Sequence, residues 1–397
     1  TLSLHDALPI SSAMANRVIW INADDLSPHA ADQGFKNLDR LANLGVTLDR
    51  VYATANQCQP SRGGSTTGRY QQEFGMFKNP PEGTLFKPGA LHRDGLPGSV
   101  RTIAEMVKGP SAIIGKWHLG VRPEQMPDKQ GFDYAAVILG GGHPYNPGTG
   151  PLWVNGKQVS VNKNLTDWLG DQVVDWVNTH DDYFLMFTPN APHQPLQATP
   201  EQMKNCRGNK FCGVMTGMDN AIGRLLDALE RKDQLKNTLI WFTADNGCAA
   251  GTPCSTGGLR GKKGQAVGEG GVRVPGIVAY QGVIDAGTSY DGVVSLMDIA
   301  VTSLAARGGP VPDNLDGINL LPYLKAHDAT PLRDLYWAQT PTRGSILRGK
   351  WKYYREPRSS LLFNLDTDPG EQNNVVGQYP ERSEEHTSEL QSHHVIS

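Results

Sequence analysis

The sequence predicts an α/β fold: a mostly parallel central sheet flanked by helices, followed by a small C-terminal antiparallel sheet. Three observations carry it. Short apolar runs rich in β-branched residues alternate with segments of helical spacing. Polar motifs repeatedly follow those runs, as ligand loops follow strand C-termini in open parallel sheets. After Asp328 the pattern changes to short, aromatic-rich pieces separated by turn residues.

The elements follow in order. Arg17–Ala23 (RVIWINA) reads as a buried parallel strand that delivers Asp24 and Asp25 at its end. Lys36–Leu44 has helical spacing through Leu38, Leu41 and Leu44, with Gly45 as its stop. Thr102–Val107 reads as a helix and Ser111–Ile114 as a strand leading into G-K-W-H-L-G. Leu165–Asn178 is a helix with Leu169, Val173, Val174 and Val177 on one face. Tyr183–Thr188 is a strand ending at N-A-P-H, Met215–Leu229 a long amphipathic helix, and Thr238–Thr243 a strand ending at A-D-N-G. Val274–Ala279 reads as another strand and Leu296–Ala306 as another helix. Leu335–Thr340, Gly344–Leu347, Lys350–Tyr354 and Ser360–Leu365 form the C-terminal sheet, and a helix begins at Val375.

The ends are set aside from this reading. T-L-S-L-H-D-A-L-P-I at the start and R-S-E-E-H-T-S-E-L-Q-S-H near the end read as translated sequencing-adapter DNA, so residues 1–11 and 382–397 are taken as non-native. His386, His393 and His394 are therefore not counted as metal ligands. The remainder divides into a catalytic domain, 12–327, and a small, truncated C-terminal subdomain, 328–381. The formal charge of −3 falls close to zero without the ends, so no field for nucleic acid or an anionic membrane is implied. No run of 18 apolar residues is present, so no membrane span is expected. Of five cysteines, four form close pairs, Cys206/Cys212 and Cys248/Cys254, in polar or Gly-rich loops. Disulfides in an oxidising compartment or two sets of free thiols both fit that spacing. Ala13-Met14-Ala15 resembles a signal-peptidase site, which fits a periplasmic or secreted protein.

The residues that carry chemistry lie at these strand ends. Asp24-Asp25 and Asp245-Asn246 are two pairs of hard oxygen donors, the number a Mg²⁺ or Ca²⁺ site calls for. Each pair alone is an ordinary turn sequence; together, beside the run C-Q-P-S-R-G-G-S-T-T-G-R from Cys58 to Arg69, they are not. A lone Cys is most often a small buried hydrophobe. This one opens a run that resembles the sulfatase signature, C-x-P-S-R followed by T-G-R, with Thr66 where an apolar residue is usual. The resemblance extends from about Val18 to Val376 through I-N-A-D-D, G-K-W-H-L-G, N-A-P-H-Q-P-L-Q, T-A-D-N-G, E-G-G-V-R-V-P-G and the closing L-F-N-L-D-T-D-P-G-E-Q-N-N.

Membership of the formylglycine-dependent sulfatases implies an alkaline-phosphatase-like sandwich and hydrolysis of a sulfate ester. The resemblance implies that a formylglycine-generating enzyme oxidises Cys58 to an aldehyde whose hydrate is the nucleophile. It implies that Asp24, Asp25, Asp245, Asn246 and the modified Cys58 hold one divalent ion, Ca²⁺. Arg62, Lys116 and Lys263 would face the sulfate; His193 would protonate the leaving alcohol and His118 deprotonate the second hydroxyl to expel sulfate. In R-G-K-K-G, from Arg260, the match favours Lys263, and a one-residue shift would give Lys262 the role. The general look, including G-G-G-H-P-Y-N-P, is that of carbohydrate-acting sulfatases, with His143, Tyr145 and Trp153 candidates to line a sugar subsite, Trp153 more readily a packing residue. Two other readings stand beside this one. A phosphate or phosphonate monoester hydrolase would share the metal corner, and Cys58 in a complete modification motif argues against it. A non-catalytic binding protein would be signalled by loss of Cys58, His118 or His193, and all three are present.

Overall fold

The computed structural model describes residues 14–80, 95–265, 267–340, 343–356 and 358–392, without side chains after 386. In chain order the strands of the large sheet are Arg17–Ala23 (β1), Val46–Tyr52 (β2), Ser111–Lys116 (β3), Tyr134–Ile138 (β4), Leu152–Val154 (β5), Lys157–Val159 (β6), Tyr183–Thr188 (β7), Thr238–Ala244 (β8), Arg273–Val274 (β9), Gly276–Ala279 (β10) and Thr288–Ser295 (β11). Their spatial order is β11-β2-β10-β8-β1-β7-β3-β4-β5-β6, with β9 on β2. The run β8-β1-β7-β3-β4 is parallel throughout. Its central strands β1, β7 and β8 are buried at every position, as strands covered on both faces must be.

Helices Lys36–Asn43, Leu165–Thr179 and Met297–Ala306 pack on this sheet, and the long helix Lys210–Arg231 packs against the first two of them. The face of the second is Leu169, Val173, Trp176 and Val177; Val174, expected there, is only partly buried. Gly45 is not a left-handed helix stop. Leu44 caps the helix, and a Cβ at Gly45 would stand 2.1 Å from the Val278 carbonyl oxygen, so the residue is set by close approach of β10. The Thr102 segment is a single helical turn, Ile103–Met106, closed by a Thr102/Glu105 capping box.

The expected strand Val274–Ala279 is two pieces, β9 and β10, broken at Pro275, which has no N–H to donate to the ladder. β10 is antiparallel to both neighbours. The short strands β4, β5 and β6 and the outer strands β2 and β11 had no counterpart in the sequence reading.

Asp334–Thr340 (β12), Arg343–Arg348 (β13), Trp351–Glu356 (β14) and Ser359–Asn364 (β15) form the four-stranded antiparallel meander expected of the C-terminal part. No helix begins at Val375; the next one is Pro380–Ser392, which starts two residues before the C-terminal stretch taken as non-native and runs into it, and His386 there is buried beside Tyr353. The N-terminal run Thr1–Ile10 lies outside the described residues. Both cysteine pairs are disulfides, Cys206–Cys212 and Cys248–Cys254, with Cα atoms 5.5 and 5.6 Å apart. Among the described residues no helix is long and apolar enough to cross a membrane.

Candidate active site

Four adjacent parallel strands end at the same edge, and each hands over chemistry there. β1 delivers Asp24 and Asp25, β8 delivers Asp245 and Asn246, β3 ends in Lys116 and leads to His118, and β7 leads through Asn190 to His193. That edge is where open α/β sheets bind ligands. Asp25 and His118 both sit in the left-handed region, φ 65° and 55°, an uncommon state for residues other than glycine that tends to gather at active sites. Cis peptides precede Pro192 and Pro195 on either side of His193. Tyr145 fixes this turn by donating its hydroxyl to the carbonyls of Asn190 and His193, each at 2.9 Å.

Cys58 opens the helix Cys58–Thr67, which is buried at every position. Pro60 fits its first turn, where no N–H is needed, and Gly68 closes it in the left-handed conformation, φ 69°. One turn after Cys58, Arg62 lies on the same face. The thiol stands 3.6 Å from Asp24 Oδ1 and 3.7 Å from Asp25 Oδ1. Oxygen, sulfur and nitrogen donors of Asp24, Asp25, Cys58 and His193 all lie within 4.8 Å of one another.

Each carboxylate of the site has its own cation. Lys116 Nζ is 2.6 Å from Asp24 Oδ2, Lys263 Nζ is 2.7 Å from Asp25 Oδ1, and Arg62 donates through Nε to Asp245 Oδ2 at 2.9 Å. Lys116, Asp24 and Asp245 are 0% exposed, so these pairs are stabilising only because they are complete. Burial opposes the charge on Asp24, and Lys116, His193, Arg62 and Lys263 overcome it, holding that carboxyl below its ordinary value. Burial, against the pull of Lys116 and Lys263, pushes the Cys58 thiol well up, which makes an unmodified thiol at this position a poor nucleophile. Burial, then Lys116 and Arg62, pushes His118 well down, which favours its neutral ring.

All ten expected site residues converge. Of the two lysines left open, Lys263 points into the cluster, while Lys262 donates to the Cys254 carbonyl oxygen at 3.3 Å. The donor set suits a divalent cation: ligand atoms of Asp24 and Asp25 lie within 4.8 Å of those of Cys58 and His193, Asp25 N–H donates to Asp245 Oδ1 at 3.1 Å and Asn246 Nδ2 to Asp25 Oδ1 at 2.8 Å, and Asn246 Oδ1 is buried with no hydrogen-bond partner, an orphan acceptor of the kind a hard cation satisfies. The expected sugar-facing role of Tyr145 is not available, because its ring is buried and its hydroxyl is committed to the His193 turn. His143 is buried and Trp153 packs against the core.

A sequence model of the sulfatase family matches residues 18–309. N-acetylgalactosamine-6-sulfatase of Mus musculus is 29% identical over 387 residues, covering 88% of this chain and 73% of the relative. Arylsulfatase A of Homo sapiens is 27% identical over 462 residues, covering 95% and 86%. The solved structure of Ps i-CgsB in complex with k-i-k-neocarrahexaose superposes with a TM-score of 0.87 at 28% identity, over 96% of this chain and 93% of that one. The fold, a large mixed sheet with a small C-terminal sheet, is therefore shared with Ps i-CgsB. The chain belongs to the sulfatase family and is a sulfuric ester hydrolase.

Proposed function

We propose that the chain hydrolyses a sulfate ester on a carbohydrate, using a nucleophile made from Cys58. The observation that carries this reading is the meeting of Cys58, three carboxylates, three cations and two histidines at one strand-end edge. The sugar assignment is supported by the names of the relatives, one an N-acetylgalactosamine-6-sulfatase and one a structure holding a neocarrahexaose.

Asp24, Asp25, Asp245 and Asn246, with residue 58, would hold one divalent ion, which we take to be Ca²⁺ for its preference for many oxygen donors. Such an ion would withdraw charge from oxygens on sulfur and on residue 58. The aldehyde hydrate made from Cys58 would supply the attacking hydroxyl. The protein's own groups do the rest. Arg62 orients residue 58 from one turn along its helix, and its Nη1 is held by the Lys116 carbonyl oxygen at 3.1 Å. Lys116 and Lys263 bind the anionic sulfate oxygens and follow the charge that grows on them. His193, whose side chain is 21% exposed at the mouth, delivers a proton to the leaving sugar oxygen. Neutral His118 accepts the proton that must leave before sulfate departs. We assign 12–327 to the catalytic domain and 328–381 to the C-terminal subdomain. A periplasmic or secreted location, supported by the two disulfides, and maturation by a formylglycine-generating enzyme belong to the same reading.

The test is the mass of the tryptic peptide Val51–Arg62 from protein co-expressed with that enzyme. A peptide with the thiol replaced by an aldehyde is expected; an unchanged thiol would remove the mechanism. Metal removal gives a second expectation. Three carboxylates already match three cations, so the metal-free site stays charge-balanced and the fold survives. EDTA is expected to abolish sulfate release while lowering the thermal midpoint by no more than about 10 °C, and Ca²⁺ restores turnover. Global unfolding on chelation would contradict this account of the site.

A further inference from the structure

Lys352, on β14 of the C-terminal sheet, and Glu269 are each 0% exposed, and Glu371, in the loop after β15, is 2% exposed. They belong to one network. Lys352 Nζ lies 2.7 Å from Glu269 Oε1 and 3.7 Å from Glu371 Oε1. Tyr52, at the end of β2, donates to Glu269 Oε2 at 3.0 Å, and Tyr354 donates to Glu371 Oε1. The ammonium also sits 5.1 Å from the ring centroid of Trp337 and 5.6 Å from that of Tyr354. An apolar set of equal volume would join these segments without the cost of burying ions; what matched buried charges can add is a single defined register.

The segment they fix lies between two parts of the active site. Glu269 N–H donates to Glu371 Oε2 at 2.8 Å, and Gly270 N–H donates to the Arg260 carbonyl oxygen at 2.8 Å. Three residues after Arg260 comes Lys263, whose own N–H donates to Cys248 O at 2.9 Å. On the other side, Gly247 N–H, next to Asn246, donates to Gly271 O at 3.0 Å. The contacts leave no slack: a Cβ on Gly270 would stand 2.3 Å from Gly261 O, and one on Gly247 would stand 2.1 Å from Gly270 O. A shift of Glu269 therefore moves both the lysine loop and the Asp245–Asn246 turn. Arg260 adds to the clamp, lying 5.2 Å from the Phe363 ring centroid on β15.

We infer that the Lys352–Glu269–Glu371 network is a positioning device for Lys263 and the Asp245–Asn246 turn, which makes the small C-terminal sheet a working part of the active site. The inference rests on Lys263 being a sulfate-binding residue. None of the three network residues touches substrate; they act through the loop they hold.

The test is a double-mutant cycle of Lys352→Met with Lys263→Ala, read as kcat/KM and as inhibition by inorganic sulfate. Lys263→Ala alone is expected to cost about a hundredfold in kcat/KM and to weaken sulfate inhibition; if it does neither, the role of Lys263 falls and this inference with it. Lys352→Met alone is expected to cost about tenfold to a hundredfold and to weaken sulfate inhibition in parallel. In the Lys263→Ala background the same change is expected to weaken sulfate inhibition no further and to cost several-fold less in kcat/KM than it does alone, the remainder acting through the Asp245–Asn246 turn, because Lys352 and Lys263 act in series. Equal losses in both backgrounds would show a merely structural role and overturn the inference, leaving the reading of Lys263 intact. Should Lys352→Met fail to fold, Glu371→Gln removes the charge at constant shape and is put through the same cycle with the same outcomes.

Discussion

Cys58→Ala is expected to reduce sulfate release by about 10⁴-fold or more while leaving the fold in place. The two halves of this expectation have different origins. Loss of activity follows because the hydrate comes from residue 58 alone: among the described His, Cys, Asp and Glu residues the rest of the cluster is two carboxylates and His193, and the carboxylates are engaged by Lys116 and Lys263. Retention of the fold follows because the sulfur makes only long contacts to Asp24 and Asp25, so its deletion costs about 1 kcal/mol. Cys58→Ser separates the nucleophile from the hydrate. A single hydroxyl can take the sulfuryl group once but has no second hydroxyl from which to expel it. This variant is expected to release at most about one equivalent of alcohol per site and then stop. Matched assays of alcohol and sulfate, with a thermal melt of each variant, read all three outcomes. Sustained turnover by Cys58→Ser would show that the reaction does not need an aldehyde and would favour transfer from a simple alkoxide.

Much of this site was legible before any coordinates, because its residues sit in short motifs directly after apolar runs. β1, β7 and β8 are continuous buried strands, so periodicity and β-branched content located them, and their polar sequels fell at one edge by topology. Elements without such a signal were not found. β5 and β6 are three residues each, too short for any pattern, and β2 carries Thr47, Asp49 and Arg50 on partly exposed positions of an outer strand. The helix that presents Cys58 was hidden by its own composition. With three glycines and prolines among ten residues and a low apolar content, it forms because it is buried on all sides, not because its residues favour helix.

The choice between Lys262 and Lys263 is a matter of which way each side chain leaves a turn, and spacing alone does not hold that information. Tyr145 was expected at the sugar, yet its hydroxyl closes the His193 turn. The Lys352 network was missed although a signal existed. In W-K-Y-Y the two-residue strand period puts Lys352 and Tyr354 on one face, and that face is buried. A lysine on an inward face needs carboxylates, and Glu269 and Glu371 lie within the motifs already singled out.

His193→Gln is expected to act differently on different leaving groups, and that difference tests proton donation. His193 Nε2 lies 3.7 Å from Asp25 Oδ2, and Nδ1 lies 2.6 Å from the Gln194 carbonyl oxygen, so the ring is oriented with Nε2 toward the site. A sugar alkoxide is a poor leaving group and needs a proton as the S–O bond breaks; a nitrophenolate leaves without one. The variant should therefore lose about 10²- to 10⁴-fold on a sugar sulfate and about tenfold or less on nitrophenyl sulfate. The alternative role for this ring is electrostatic, a partner to Asp25 or a further donor to the cation, since it belongs to the same donor cluster. An electrostatic partner stabilises the site whatever the substrate, so its loss would lower both rates by the same factor and would also weaken metal binding. Parallel kinetics on the two substrates, with metal affinity measured on the variant, separate the two roles. Equal losses with weakened metal affinity would move His193 from proton donor to cation ligand and leave the leaving oxygen to be protonated by solvent at the open mouth of the site.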